Sequence, residues 1–148
     1  MYDVYYAHHQ WKYGTPVEAY ELDVIRRYFP NAKIFNPSTD LKSLSPKLDE
    51  ASIMEECLET VRNSYILVFS SLDGCIGTGV YHEIMEAQNN GLLIFYIYHD
   101  TLTFNYRVKK RSYITRTDRL YANVVTDINQ ICEGASTYRG SFIFLSDK

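Results

Sequence analysis

The residues with the most chemical potential lie in one stretch, Ser70-Ser71-Leu72-Asp73-Gly74-Cys75-Ile76-Gly77-Thr78-Gly79-Val80-Tyr81-His82-Glu83-Ile84. Gly77 and Gly79 leave bare backbone at what reads as the mouth of a helix. Thr78 is a good N-cap, and first-turn N–H groups pointing outward suit an anionic group. Glu83 follows a turn and a half later and sets one carboxylate beside that mouth. A nucleophile or base next to an anion cradle is the chemistry this spacing offers. Glu83 also borders the apolar stripe Val80, Ile84, Ala87 and Gly91, where desolvation raises a carboxyl's pKa and tunes it for catalysis. The bland alternative is a solvated glutamate on an amphipathic helix.

Other groups are weighed against the same background. Asp73 is the nearest acid before the glycines, although Asp-Gly is also a common turn pair. His8 and His9 leave the first strand, after Ala7, on the edge that carries the glycine turn, so Ala7, His8 and His9 are candidates to line a ligand. The two histidines are adjacent and have no third group at ligand spacing, so no metal site is expected. His82 points about 100° away from Glu83 on a helix and reads as surface. Cys75 lies in the turn itself and reads as a small apolar filler, with reactivity as the alternative.

These residues need a frame to hold them. Residues 3–7 read as a first strand. Thr15-Pro16-Val17-Glu18 is a capping box with proline at the first helical position, and Val17, Tyr20, Val24, Ile25 and Tyr28 follow at helical spacing. Pro30 stops that helix at Phe29. Residues 32–35 read as a second strand closed by Asn36-Pro37, and residues 38–50 as a polar loop with a helical turn after Ser45-Pro46. Ser52-Ile53-Met54-Glu55 is a second capping box, with Ile53, Cys57, Leu58 and Val61 as the apolar face.

The runs 65–69 and 92–98 are continuously apolar, as parallel strands covered on both faces should be. Between them a helix over about 79–89 is stopped by Asn90-Gly91. Residues 99–120 form a long excursion rich in Arg107, Lys109, Lys110, Arg111, Arg116 and Arg119. It reads as a solvated surface, or as a lid or neighbouring-subunit contribution that closes over a phosphorylated ligand. A short strand at Val124-Val125, a helix over 127–132 and a strand over 141–145 complete the chain. The order predicts one α/β domain over residues 1–148, a doubly wound, mainly parallel sheet of about five strands with helices on both faces, Rossmann- or flavodoxin-like.

Bulk properties bound the function. A formal charge of −3 on 148 residues gives no overall drive toward nucleic acid or acidic membranes. Three widely spaced cysteines argue against a disulfide framework and for a reducing, cytoplasmic setting. Neither a charged-then-apolar leader nor an apolar run near membrane length is seen, so neither a signal peptide nor a membrane span is expected. The 14 tyrosines are read as compositional bias, with base stacking or self-association as the functional alternative.

The strand Val4-Tyr5-Tyr6-Ala7, the polar loop, the amphipathic helix, and the apolar strand leading to Gly77-Thr78-Gly79 and Glu83-Ile84, with Ala87 and Gly91 beyond, together resemble the nucleoside 2-deoxyribosyltransferase family over roughly residues 3–98. The resemblance implies that Glu83 attacks the anomeric carbon of a nucleoside or nucleotide and that Tyr5, or less favourably Tyr6, orients it. It implies that Gly77, Thr78 and Gly79 hold a 5′-phosphate, and that Asp73 is the acid nearest to the family's leaving-base donor. Reaction through a glutamate needs no metal or redox cofactor, and the family implies a homo-oligomer. The strand order also resembles TIR domains, which use a helix glutamate to cleave NAD. Because Asp73 is displaced from Gly77, a non-catalytic nucleotide sensor or sponge, and a plain interaction module, stay open beside the enzyme.

Overall fold

The computed structural model describes residues 1–41, 49–72, 75–104, 107–117, 121–125 and 141–144. Its elements run β1 (Tyr2–Ala7), a single 3-10 turn (Gln10–Lys12), α1 (Pro16–Tyr28), β2 (Ile34–Phe35), α2 (Pro37–Asp40), α3 (Glu50–Arg62), β3 (Ser64–Phe69), β4 (Cys75–Gly77), α4 (Thr78–Asn89), β5 (Leu93–Phe104), β6 (Arg107–Arg116), β7 (Tyr121–Val125) and β8 (Ser141–Phe144). Among the described residues a five-stranded sheet has the order β2-β1-β3-β5-β6, parallel except for β6. A second sheet has the order β4-β7-β8. The fold is α/β, as the order of apolar runs predicts.

The winding reverses at β1, which has β2 on one side and β3 on the other. In open α/β sheets the carboxyl ends of the strands at such a reversal flank the ligand crevice. Here those ends are Ala7 and Phe69, register partners. Strand alternation sends Tyr5, Ala7, Leu67, Phe69 and Ile94 to one face, where they pack with Cys57 and Val61 of α3 and Val80, Ile84 and Ala87 of α4. It sends Val4, Tyr6, Val68, Ile97 and Ile114 to the other, against Val24 and Ile25 of α1.

Five local expectations are corrected. On α1, Val17, Tyr20 and Tyr28 are exposed, whereas Glu18 and Glu21 are buried beside Val24 and Ile25. The helix is rotated because its glutamates find polar partners inside. The α3 cap is Asp49, whose side chain accepts from the Ser52 N–H at 2.8 Å, so the helix starts before the Ser52 box. Asn36 caps α2, a short helix where a loop is predicted.

At the glycines, β4 keeps the backbone extended through Gly77 by parallel pairing with β7 (Ile76↔Val124), and Gly77 takes the N-cap position without a side-chain bond. Thr78 is therefore the first helical residue and not the cap. The excursion over 99–120 is for the most part a β-ribbon, β5 and β6 pairing from Phe95↔Arg116 to Phe104↔Arg107. Antiparallel backbone bonding supports it without the apolar periodicity a helix would need. The helical turn after Pro46 and the helix over 127–132 lie outside the described residues.

Ile84 is fully buried between α4 and the sheet. We expect Ile84→Ala to cost about 2–5 kcal/mol, read as a shift of the urea midpoint at unchanged slope.

Candidate functional site

α4 buries Val80, Ile84 and Ala87 on the sheet, and the same phase carries Glu83 inward until it is only 6% exposed. Strand alternation on β1 points Tyr5 at the same place, and its phenol donates a hydrogen bond to Glu83 Oε2. Phe35 stacks on the Tyr5 ring at 5.3 Å and 22°, fixing the phenol's direction. Burial pushes the Glu83 carboxyl up to about 8, and the Tyr5 hydrogen bond offsets only part of that rise. Burial and then the Glu83 charge drive the Tyr5 phenol far up, so it stays a donor.

Two further groups surround this pair. Cys57 of α3 lies beside the Tyr5 phenol, and burial, with Glu83 second, raises its thiol to about 11. Tyr13, partly exposed with its ring 5.0 Å from that of His8, is pushed up by burial and then by the Glu83 charge. Cys57 read in the sequence as apolar face and Tyr13 as loop, and only the fold brings them to Glu83. A dry carboxyl held by one phenol can donate a proton in its neutral form and act as nucleophile or base once ionised.

The other predicted residues separate. His9 reaches the mouth of α4, where a Cβ on Gly77 would come within 3.0 Å of its ring. A side chain at position 77 would have to displace the His9 ring by a few tenths of an ångström. Likewise a Cβ on Gly79 would meet Met54 at 3.2 Å, and Thr78 is exposed. The glycine mouth is thus covered in part by His9 and Met54 and not bare. Ala7 is buried and its carbonyl accepts from the Ser70 N–H at 3.2 Å.

His8 turns to the α1 face, stacked on Tyr6 at 3.7 Å. One ring nitrogen lies 2.7 Å from Glu18 Oε2 and the other 3.2 Å from the Tyr6 carbonyl, which leaves neither for a ligand. Both partners are acceptors, which only the imidazolium satisfies in full; burial opposes that charge and lowers the His8 pKa. Asp73 lies outside the described residues.

Opposite Glu83, on the α1 face, sits a second carboxylate that the tyrosine-based helical pattern concealed. Glu21 is fully buried and accepts from Tyr6 at 2.5 Å, Ser70 Oγ at 2.7 Å and Lys12 Nζ at 3.0 Å, with His99 Nε2 at 2.6 Å. Lys12 Nζ also reaches Ser70 Oγ at 2.8 Å and the Ser71 carbonyl at 3.0 Å. Burial works to raise Glu21, but the His99 hydrogen bond, the Lys12 charge and the Tyr6 and Ser70 hydroxyls outweigh it and hold the group at about 2. The signal in the sequence was the helical spacing of Glu18 and Glu21 with Val24 and Ile25.

A separate cavity of about 440 Å³ lies between Tyr2, Phe35, Glu56 and Asn63, toward the amino end of β1. No helix among the described residues is long and apolar enough to cross a membrane. Also among them, no three His, Cys, Asp or Glu side chains are grouped to hold a metal ion. Comparison of the chain with protein-family models and with curated proteins gives no match.

The raised Glu83 pKa makes stability depend on pH. Between the ordinary carboxyl value of 4.5 and about 8, the native chain holds a proton that the unfolded chain has lost, so stability falls as pH rises through that window. Glu83→Gln does not titrate and keeps an acceptor for Tyr5. Its stability relative to wild type is expected to improve by roughly 4–5 kcal/mol between pH 4 and pH 9, at about 1.36 kcal/mol for each tenfold difference in proton affinity between the native and unfolded chains, measured by urea unfolding at both pH values.

Proposed function

We propose that the chain acts at the N-glycosidic bond of a nucleoside or nucleotide, with Glu83 as nucleophile and Tyr5 orienting it. The observation that carries this reading is the Tyr5 to Glu83 hydrogen bond, made across 78 positions of sequence between two buried side chains. It joins the two residues that the resemblance to nucleoside 2-deoxyribosyltransferases assigns to catalysis. Ionised Glu83 attacks C1′, the base departs with its bonding electrons and takes up a proton, and water or a second base then displaces the carboxylate from the sugar. The reaction through a carboxylate needs no metal or redox cofactor. On this reading the protein works in the cytoplasm as a homo-oligomer, and NAD belongs in the substrate panel because TIR-like hydrolysis uses the same attack.

Two observations favour a second reading. His9 packed over Gly77 and the deep burial of Glu83 suit a sensor or sponge that closes on a nucleotide without cleaving it.

The test is release of free base from nucleosides, nucleoside monophosphates and NAD, followed by chromatography, with calorimetric binding measured in parallel. Glu83→Gln is expected to keep binding and lose at least about 10³-fold in turnover. Because the attacking form is ionised and the group sits at about 8, kcat/KM should climb about tenfold per pH unit below that value and level off above it. Undiminished turnover in Glu83→Gln removes Glu83 from the mechanism, and binding without turnover across the panel selects the sensor.

A further inference from the structure

The Glu21 network extends to a group that the Glu83 site does not use. His99 on β5 lies with Nε2 at 2.6 Å from Glu21 Oε2 and Nδ1 at 2.6 Å from Ser112 Oγ. Ser112 stands directly across from His99 in the β5–β6 register, so the pair is set by backbone pairing. Glu21 is ionised beside Lys12 and can only accept, which places the imidazole proton on Nε2. Nδ1 is then the acceptor, and the Ser112 hydroxyl donates to it. The neutral ring then presents a lone pair to the Ser112 hydroxyl, which is what a serine nucleophile requires of its base, here at Nδ1.

We propose that Ser112, His99 and Glu21 form an acyl-transfer triad that hydrolyses small carboxylic esters. Ser112 Oγ attacks the ester carbonyl carbon while its proton passes to His99 Nδ1. The tetrahedral intermediate collapses with cleavage of the acyl C–O bond, and the leaving alcohol takes that proton from His99. Water then attacks the acyl carbon, its proton going to His99 and on to Ser112 Oγ, and the carboxylic acid departs.

The ring nitrogens are used in the reverse order from the familiar hydrolases, which is neutral to the chemistry because imidazole accepts and releases protons at either nitrogen. Glu21 is the positioning residue. Tyr6, Ser70 and Lys12 hold it still, so the direction of the His99 ring is fixed from behind.

The surroundings define the substrate class. The His99 side chain is 38% exposed and Ser112 half-buried, so the site opens to solvent and is shallow. The exposed Tyr20 ring stands 6.1 Å from the imidazole and offers an aromatic wall. A short acyl group with an aryl leaving group fits best. The triad belongs to the α1 face of the sheet, whereas Glu83 belongs to the α4 face. The two chemistries are therefore independent, and neither outcome bears on the other.

The full chain is treated with a fluorophosphonate probe, the modified peptide is identified by mass, and hydrolysis of p-nitrophenyl acetate is followed alongside. The folded wild type is expected to be labelled at Ser112, with no labelling after unfolding in urea. Ser112→Ala should lose that label, and both it and His99→Gln should lose at least about 10²-fold in hydrolysis, the ordinary size of a general-base contribution. Folded wild type that takes no label at Ser112 overturns the proposal, whatever the variants do. So does hydrolysis at the wild-type rate by a folded Ser112→Ala, folding being checked by circular dichroism.

Discussion

Two neighbouring residues of one strand, Tyr5 and Tyr6, each give a phenol to a buried carboxylate, and they do so on opposite faces of the sheet. The alternation of side chains along β1 makes this unavoidable once the strand is central. Tyr5 meets Glu83 from α4 and Tyr6 meets Glu21 from α1. Each layer of helix is thus tied to the same strand by an oriented polar contact, in addition to its apolar packing. The placement of both candidate sites follows from that strand.

The two carboxylates share a depth of burial but not a charge state. Glu21 has a lysine, an imidazole, a phenol and a serine hydroxyl around it, and those donors hold it ionised against desolvation. Glu83 has one phenol and a raised thiol nearby, so desolvation prevails and the proton stays on through neutral pH. The first arrangement is rigid, since removing any one donor leaves a buried charge short of a partner. The second is poised, because a change of pH or a bound ligand moves the proton. A rigid carboxylate suits orientation of another group, and a poised one suits reaction at its own oxygen.

The second sheet controls the phase of Glu83. β4 is only three residues long, yet its pairing with β7 keeps the backbone extended until Gly77 and lets α4 begin at Thr78. Starting the helix one residue earlier or later would rotate Glu83 by about 100° relative to Tyr5. On the far side, the β5–β6 ribbon stacks Tyr98 on Tyr113 at 5.3 Å and sets His99 against Ser112, so several of the abundant tyrosines serve strand pairing.

The amino-acid sequence by itself determined the α/β architecture, the strand character of the 65–69 and 92–98 runs, and the candidacy of Glu83, to which the family resemblance added Tyr5. Continuous apolar runs suit the covered strands of a doubly wound sheet, although Tyr65, Leu93 and Tyr98 at the ends of these runs are exposed, and a glutamate at the border of an apolar stripe is visible from helical spacing alone. Only the tertiary structure decided that α1 buries Glu18 and Glu21 in place of Val17 and Tyr20, that Thr78 is not a cap, that His8 is consumed within the protein while His9 reaches the glycine mouth, and that residues 99–120 largely form a ribbon. The buried glutamate, the helix start and the ribbon depend on partners far along the chain: Ser70 and His99 for Glu21, Val124 for Ile76, Arg116 for Phe95. Local periodicity reports whether a face is apolar. It carries no information on whether a polar side chain will find its donors inside, because that depends on which distant groups the fold delivers.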